Sequence, residues 1–241
     1  MLQRQYERPP GLAAERTSFG GPSSNAETVT SDKRLLVLGA TGGTGHQVVV
    51  QALRRGFLVT AFVRDVARLR IESNRLHVLM GSMIGDEAPL ASAMSGQDAV
   101  ISALGVGKSF TSGGLVGQAL PRILRCMEAA GVRRLVFTSA FGVGETRRDV
   151  PLVPRLFMRT LLRDVYRDKE AGELLLRRST LDWTIVYPAG LVDRPATGQY
   201  RVGERLALRG FPTIARSDLA DFLLNQVDDV RYVRKGVLVS F

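Results

Sequence analysis

Along most of this chain, short and almost wholly apolar runs alternate with longer stretches whose apolar residues recur every three or four positions. The runs are Arg34–Leu38, Leu58–Val63, Leu76–Met80, Ala99–Ala103, Arg133–Phe137 and Trp183–Tyr187. Continuous apolar runs of this length fit strands buried on both faces. Between them the spacing predicts helices over Gly43–Arg55, Ala88–Met94, Leu115–Ala130 and from about Pro154 to Arg178, with Gly56 and Gly131 as the stops of the first and third. Strands alternating with helices in this way predict an α/β fold, a parallel and doubly wound sheet with helices on both faces.

The C-terminal part reads differently. Gly198–Val202 and Arg205–Leu208, separated by Gly203-Glu204, predict a small hairpin on the substrate side. Ser217-Asp218 reads as the cap of a helix over Leu219–Gln226, and Gly236–Ser240 as a last strand joining the sheet edge. The insertion is too short for a second domain and is expected to be a lid or substrate wall. Residues 34–241 are therefore read as one domain. Residues 1–33 carry prolines, glycines, serines and scattered charges without apolar periodicity, and are read as a mobile tail.

Composition narrows the class. The chain has 241 residues and one cysteine, Cys126, so no internal disulfide is available. Cys126 lies among Ile123, Leu124 and Met127 in a helical pattern, the setting of a buried inert thiol. No window is long and apolar enough for a bilayer span or a secretory signal, so no membrane association is expected and a cytoplasmic protein is the default. The formal charge of +10 comes from 29 arginines against 4 lysines, and these are dispersed. Their densest stretch, Arg147 to Arg178, also holds Asp149, Asp164, Asp168, Glu170 and Glu173 and reads as a solvated helical face with intrahelical ion pairs. Without a helix-turn-helix, zinc pattern or aromatic RNA-binding signature, the excess points to a general attraction for anions such as nucleotide phosphates. Specific nucleic-acid binding and a metal site are not expected.

The most informative segment joins the first strand to the first helix: Gly39-Ala40-Thr41-Gly42-Gly43-Thr44-Gly45. Glycines at i, i+3 and i+6 between a strand and a helix suit a dinucleotide diphosphate. The first closes a tight turn, the second admits the pyrophosphate, and the third lets the helix pack on the strand. Free N–H groups and the positive end of the helix dipole then meet the phosphates. With its context, this predicts a Rossmann-type fold.

The end of the second strand discriminates between cofactors. An acidic residue there takes the ribose hydroxyls of NAD, whereas arginine accommodates the 2′-phosphate of NADP. Here the strand ends in Arg64-Asp65, which favours NADP(H); the plainer reading is a surface arginine paired with Asp65. Ala103-Leu104-Gly105 after the fourth strand offers small residues beside the ribose and pyrophosphate. Thr138-Ser139-Ala140 after the fifth offers hydroxyls near the nicotinamide, although a turn hydrogen bond would explain Ser139 equally well.

Together with Gly96-Gln97-Asp98-Ala99-Val100-Ile101, Phe141 and Asp182-Trp183-Thr184-Ile185-Val186-Tyr187-Pro188, these segments resemble the atypical short-chain dehydrogenase/reductase superfamily. Within it they look like the NmrA-like NAD(P)H-binding group, which is related to the biliverdin-IXβ/flavin reductases. The resemblance covers residues 34–240. It implies that Thr41, Gly42, Gly43 and Thr44 contact the diphosphate, Arg64 the 2′-phosphate, and Pro188, Ala189, Gly190 and Leu191 the nicotinamide. Relatives often place Gly-Asp after the third strand to contact adenine; here it is Gly81-Ser82, and Ser82 takes that position.

Many members use Tyr-x-x-x-Lys, with tyrosine as proton donor and lysine holding the ribose. This chain has Tyr166-Arg167-Asp168-Lys169, one residue short. Lys169 remains a candidate for the ribose and the chemistry, with Ser139 beside the acceptor, while Tyr166 is expected to turn toward solvent or packing. His46, after the glycine turn, and His77, inside a strand pattern, are poor acid candidates. Carbonyl reduction needs an acid or a stabiliser for the developing alkoxide. A flavin spreads that charge over its rings, so the pattern suits a reductase of flavins, tetrapyrrole-like or other conjugated acceptors. Two alternatives stay open: a non-catalytic NADP(H)-binding redox sensor acting through a protein partner, and an isomerase or dehydratase with a retained nucleotide.

Overall fold

The computed structural model describes residues 32–105, 107, 111–148, 162–208 and 210–241. The expected tail, apart from Asp32 and Lys33, and the start of the helix expected from Pro154 lie outside the described residues. In chain order the elements are β1 (Arg34–Leu38), α1 (Gly43–Arg54), β2 (Leu58–Val63), β3 (Leu76–Met80), α2 (Ala88–Met94), β4 (Ala99–Ser102), α3 (Leu115–Ala129) and β5 (Arg134–Thr138). They continue with α4 (Arg163–Arg178), β6 (Asp182–Pro188), β7 (Gly190–Val192), β8 (Arg201–Gly203), β9 (Thr213–Ala215), α5 (Arg216–Asn225) and β10 (Lys235–Ser240).

Eight strands form one sheet in the order β3-β2-β1-β4-β5-β6-β10-β8. All neighbours are parallel except the edge pair β10–β8, which runs antiparallel. Alternation along β1 shows how the two faces are covered. Leu36 and Leu38 join Leu90, Leu120 and Ile123 on the side of α2, α3 and α4. Leu35 and Val37 join Val48, Val49, Ala220 and Leu223 on the side of α1 and α5. The result is a three-layer Rossmann-type fold. Its strand order reverses between β1 and β4, which places the ligand crevice at the carboxyl ends of those strands. Among the described residues, no helix is long and apolar enough to cross a membrane.

Three expectations are corrected. No strand forms over Arg205–Leu208, so there is no Gly198–Val202/Arg205–Leu208 hairpin; β8 instead pairs with β10, Val202 opposite Val239. β10 consequently lies one strand inside the edge. Second, α5 begins at Arg216 after the N-cap Ala215, so Ser217 and Asp218 sit inside its first turn. They are used to hold a loop: Asp218 accepts from Thr197 N at 2.8 Å and Gly198 N at 3.0 Å, and Ser217 Oγ donates to the Arg194 carbonyl at 3.0 Å.

Third, the acidic residues of α4 are not mainly a solvated ion-pair face. Asp168 is buried and accepts from Val116 N at 2.9 Å and Gly117 N at 2.7 Å, supplying the first turn of α3 with a cap from another helix. Asp164 accepts from Ser112 N and Oγ, which holds its carboxyl below the usual range. Periodicity cannot distinguish a carboxylate facing water from one facing a neighbouring helix end. The short parallel pair β7–β9, joined by Gly190 opposite Thr213, also escaped a pattern reading, because three-residue strands carry too little alternation.

Candidate active site

The glycine turn forms the floor of the crevice. Gly39 takes a left-handed backbone at φ +83°, and a Cβ there would lie 2.7 Å from the Ala103 carbonyl oxygen. The turn thus packs directly on the chain leaving β4. Gly42 N donates to Gly39 O at 3.0 Å, and His46 N donates to Gly42 O at 2.8 Å. No side chain caps α1 at Gly42, so the amides of Gly43, Thr44 and Gly45 are helix-terminal donors without an intrahelical partner. At Gly45 a Cβ would collide with Gly39 O at 2.1 Å, which explains a third glycine where the helix backs onto the turn. A cradle of uncapped amides at the positive end of a helix fits a diphosphate.

Lys169 joins two of the strand ends bordering this floor. Its buried Nζ donates to Thr138 O at 3.0 Å and lies 3.4 Å from Leu104 O, with the Phe137 ring centroid 5.8 Å away. Burial pushes its pKa down to about 8, while the charges of Glu173 and Asp168 act in the opposite direction. Thr138 Oγ1 is buried and has no hydrogen-bond partner among the described residues. On Gly105 a Cβ would meet nothing within 4 Å, so open space adjoins the end of β4. A buried hydroxyl without a partner among the described residues calls for an explanation, and a polar ligand at these strand ends is one.

Ser139 follows the end of β5. Its Oγ donates to Glu173 Oε1 at 2.5 Å, and Tyr187 donates to Glu173 Oε2 at 2.7 Å. Arg177 completes the group, donating to Tyr187 OH at 3.1 Å and pairing with Glu145 at 3.1 Å. Burial pushes the Glu173 carboxyl up, although the hydroxyls of Ser139 and Tyr187 favour the charged form. Burial is also the main reason the Tyr187 phenol is raised. Glu173, Tyr187, Arg177 and Glu145 line a cavity of about 730 Å³ together with Gly144, Arg148 and Arg205. The sequence pattern put Glu173 on a solvated helical face, and the structure buries it. Its only sequence signal is its spacing of four from Lys169, which puts both on one face of α4.

Tyr166 packs against the core, the second of the two places expected for it. Its hydroxyl donates to the Phe141 carbonyl at 3.1 Å, and burial pushes its pKa up to about 12.

The remaining expected residues flank the crevice. Arg64 is exposed at the end of β2. Asp65 is not its ion-pair partner: the carboxylate accepts from Ala67 N at 3.0 Å and caps a short 3-10 turn. Ser82 Oγ accepts from Ile84 N at 3.3 Å in a local turn after β3. Pro188 ends β6 and accepts from Phe141 N, Ala189 N donates to Val239 O, and Gly190 N donates to Pro212 O. Leu191, half exposed on β7, continues into the loop that Ser217 and Asp218 fasten. The structure therefore joins Gly39 to the end of β4, and Lys169 to the ends of β4 and β5. Arg64 and Ser82 stand on the β2–β3 flank.

Comparison with known proteins agrees with this geometry. A family model described as NAD(P)H-binding matches residues 39–230, and the chain belongs to that family. An uncharacterized chloroplastic protein of Arabidopsis thaliana, At2g34460, is 29% identical over 189 residues, covering 76% of this chain and 68% of that protein. A short-chain dehydrogenase/reductase of Veillonella parvula in complex with NADP superposes with a TM-score of 0.73 at 19% identity, over 87% of this chain and 94% of that one. ChuY, an anaerobillin reductase of Escherichia coli O157:H7, superposes with a TM-score of 0.72 at 21% identity, over 86% of this chain and 96% of that one. The family match makes this an NAD(P)H-binding protein, and the superposed structures share its Rossmann-type fold.

Proposed function

We propose that this protein is an NADPH-dependent oxidoreductase that delivers hydride to a conjugated small-molecule acceptor, of the flavin or tetrapyrrole-like class. The observation that carries this reading is the placement of Tyr166. Its hydroxyl is engaged by the Phe141 carbonyl and its pKa stands at about 12, so it is a poor acid for an alkoxide at the crevice. Ser139, just past the end of β5, is itself committed to Glu173, and the Thr138 hydroxyl at that end is fully buried. A site so equipped suits an acceptor that delocalises the incoming charge.

Bound NADPH would supply the hydride. The chain's own work is positioning. The amides of Gly43, Thr44 and Gly45 take the diphosphate, with Gly39, Thr41 and Gly42 shaping the turn, and Arg64 takes the 2′-phosphate. Ser82 borders the adenine, and Ala103, Leu104 and Gly105 border the ribose. Lys169 fixes the ends of β4 and β5 and keeps a third ammonium donor for a ribose hydroxyl. Thr138 and the segment Pro188, Ala189, Gly190 and Leu191 border the nicotinamide, and Ser139 faces the acceptor. The fold shared with an anaerobillin reductase is compatible with an extended acceptor, although at that identity it speaks for architecture alone.

Steady-state NADPH oxidation with FMN, FAD, biliverdin and a set of isolated ketones tests the reading. Turnover with the conjugated acceptors and little or none with the ketones is expected. Ketone reduction alone would overturn the acceptor class. No turnover, with equal affinity for NADP+ and NADPH, would favour the sensor function instead.

A further inference from the structure

Arg216 opens α5, and its side chain runs back across the start of α1. A Cβ placed on Gly43 would meet Arg216 Cδ at 2.8 Å and Nε at 2.9 Å. The arginine stem therefore lies in the space left by the glycine at the first position of α1, beside the uncapped amides. Its Nη1 donates to Asp193 Oδ1 at 2.7 Å. The two side chains differ sharply in exposure, 26% for Arg216 and 87% for Asp193.

A single contact to a carboxylate so open to water is a weak hold on a guanidinium. Among the described residues it also leaves most of the five-donor fork unused. The pair is not needed to hold the loop after β7, because Ser217 and Asp218 fasten Arg194, Thr197 and Gly198 without it. What the position does provide is a cation beside helix-terminal N–H donors, resting in the space that Gly43 leaves open.

We propose that Arg216 is a ligand of the dinucleotide's diphosphate. It closes on the anion beside the glycine-turn amides and exchanges Asp193 for phosphate oxygens when the nucleotide binds. The assignment rests on nucleotide binding and not on turnover. It differs from the role given to Arg64, which ends β2 and concerns only the 2′-phosphate. A planar guanidinium matches a phosphate with two parallel hydrogen bonds, which a lysine cannot reproduce.

Binding measurements on the full chain with three probes separate the possibilities: NADP+, ADP, which carries a 5′-diphosphate and no 2′-phosphate, and 2′-AMP, which carries the reverse. Arg216→Ala is expected to weaken NADP+ and ADP about ten-fold or more, the size of a lost charge-assisted contact, and to leave 2′-AMP within about two-fold. Arg216→Lys is expected to show the same selectivity with a smaller loss. Asp193→Asn is expected to bind NADP+ as well as the parent or better, because the competing carboxylate is gone. The proposal is overturned if Arg216→Ala leaves ADP and NADP+ unchanged, or weakens 2′-AMP equally. It is also overturned if Asp193→Asn loses as much NADP+ affinity as Arg216→Ala, since the ion pair itself would then be what matters. Should Arg216→Ala fail to fold, Arg216→Lys decides: a loss confined to NADP+ and ADP supports the assignment, and unchanged or uniformly weakened binding refutes it.

Discussion

Ser139, just past β5, and Glu173 on α4 meet through a 2.5 Å hydrogen bond, and Tyr187 donates to the other oxygen of the same carboxyl at 2.7 Å. A hydroxyl following β5 and one on β6 thus converge on one buried acid. The Gly144 backbone closes against it, since a Cβ there would lie 2.2 Å from Glu173 Oε2. Glutamine keeps the shape but turns an NH2 group toward a hydroxyl that donates. Glu173→Gln is expected to cost about 1–3 kcal/mol of stability through one mismatched buried donor. Urea unfolding measures this; a variant as stable as the parent would show that the two hydroxyls do not depend on a carboxyl acceptor.

Tyr166→Phe separates a structural tyrosine from a catalytic one. Only the hydrogen bond to Phe141 O is lost, so stability should fall by about 0.5–1.5 kcal/mol. Turnover with a conjugated acceptor should stay within about three-fold of the parent. Loss of a general acid typically costs about a hundred-fold or more, and a fall of that size would restore Tyr166 to the chemistry.

How far the sequence carried the reading differs from element to element. β1, β2, β3 and α2 end where the apolar pattern and its flanking glycines place them, because each is a local signal reinforced by burial on both sides of the sheet. The glycine turn was legible because its spacing is itself a local signal, and within the turn Gly45 avoids a collision with Gly39 O. Arg216 and Glu173 were not. Each acts on a residue distant in sequence, Gly43 and Ser139, and neither partner carries a mark that points to the other. Asp168 shows the limit most simply, for it reads as a surface acid and serves as the cap of α3.

Lys169 should give stability a pH dependence of a definite sign. Its folded pKa is about 8, against 10.5 for an ordinary lysine. Between those values the unfolded chain binds more protons than the folded one, so this group makes stability rise with pH across that window. Below it, the cost of the buried ammonium is present in full. Chemical unfolding of the parent and of Lys169→Met across this range should show a rising contribution in the parent that the variant lacks. Parallel pH profiles would contradict the assignment.

Arg64→Ala tests the choice of cofactor. A charge-assisted guanidinium–phosphate contact is worth about 1.5–3 kcal/mol, so NADPH affinity should fall about ten-fold or more while NADH binding changes little. Equal losses for the two nucleotides would remove Arg64 from the 2′-phosphate.

The central claim is that bound NADPH is consumed and not merely held. A single-turnover experiment addresses it most directly: the preformed protein–NADPH complex is mixed anaerobically with excess FMN or biliverdin, and the reduced-nicotinamide absorbance is followed. The account predicts loss of the signal in proportion to the complex, with matching reduction of the acceptor. Persistence of bound NADPH in the presence of every conjugated acceptor would contradict it.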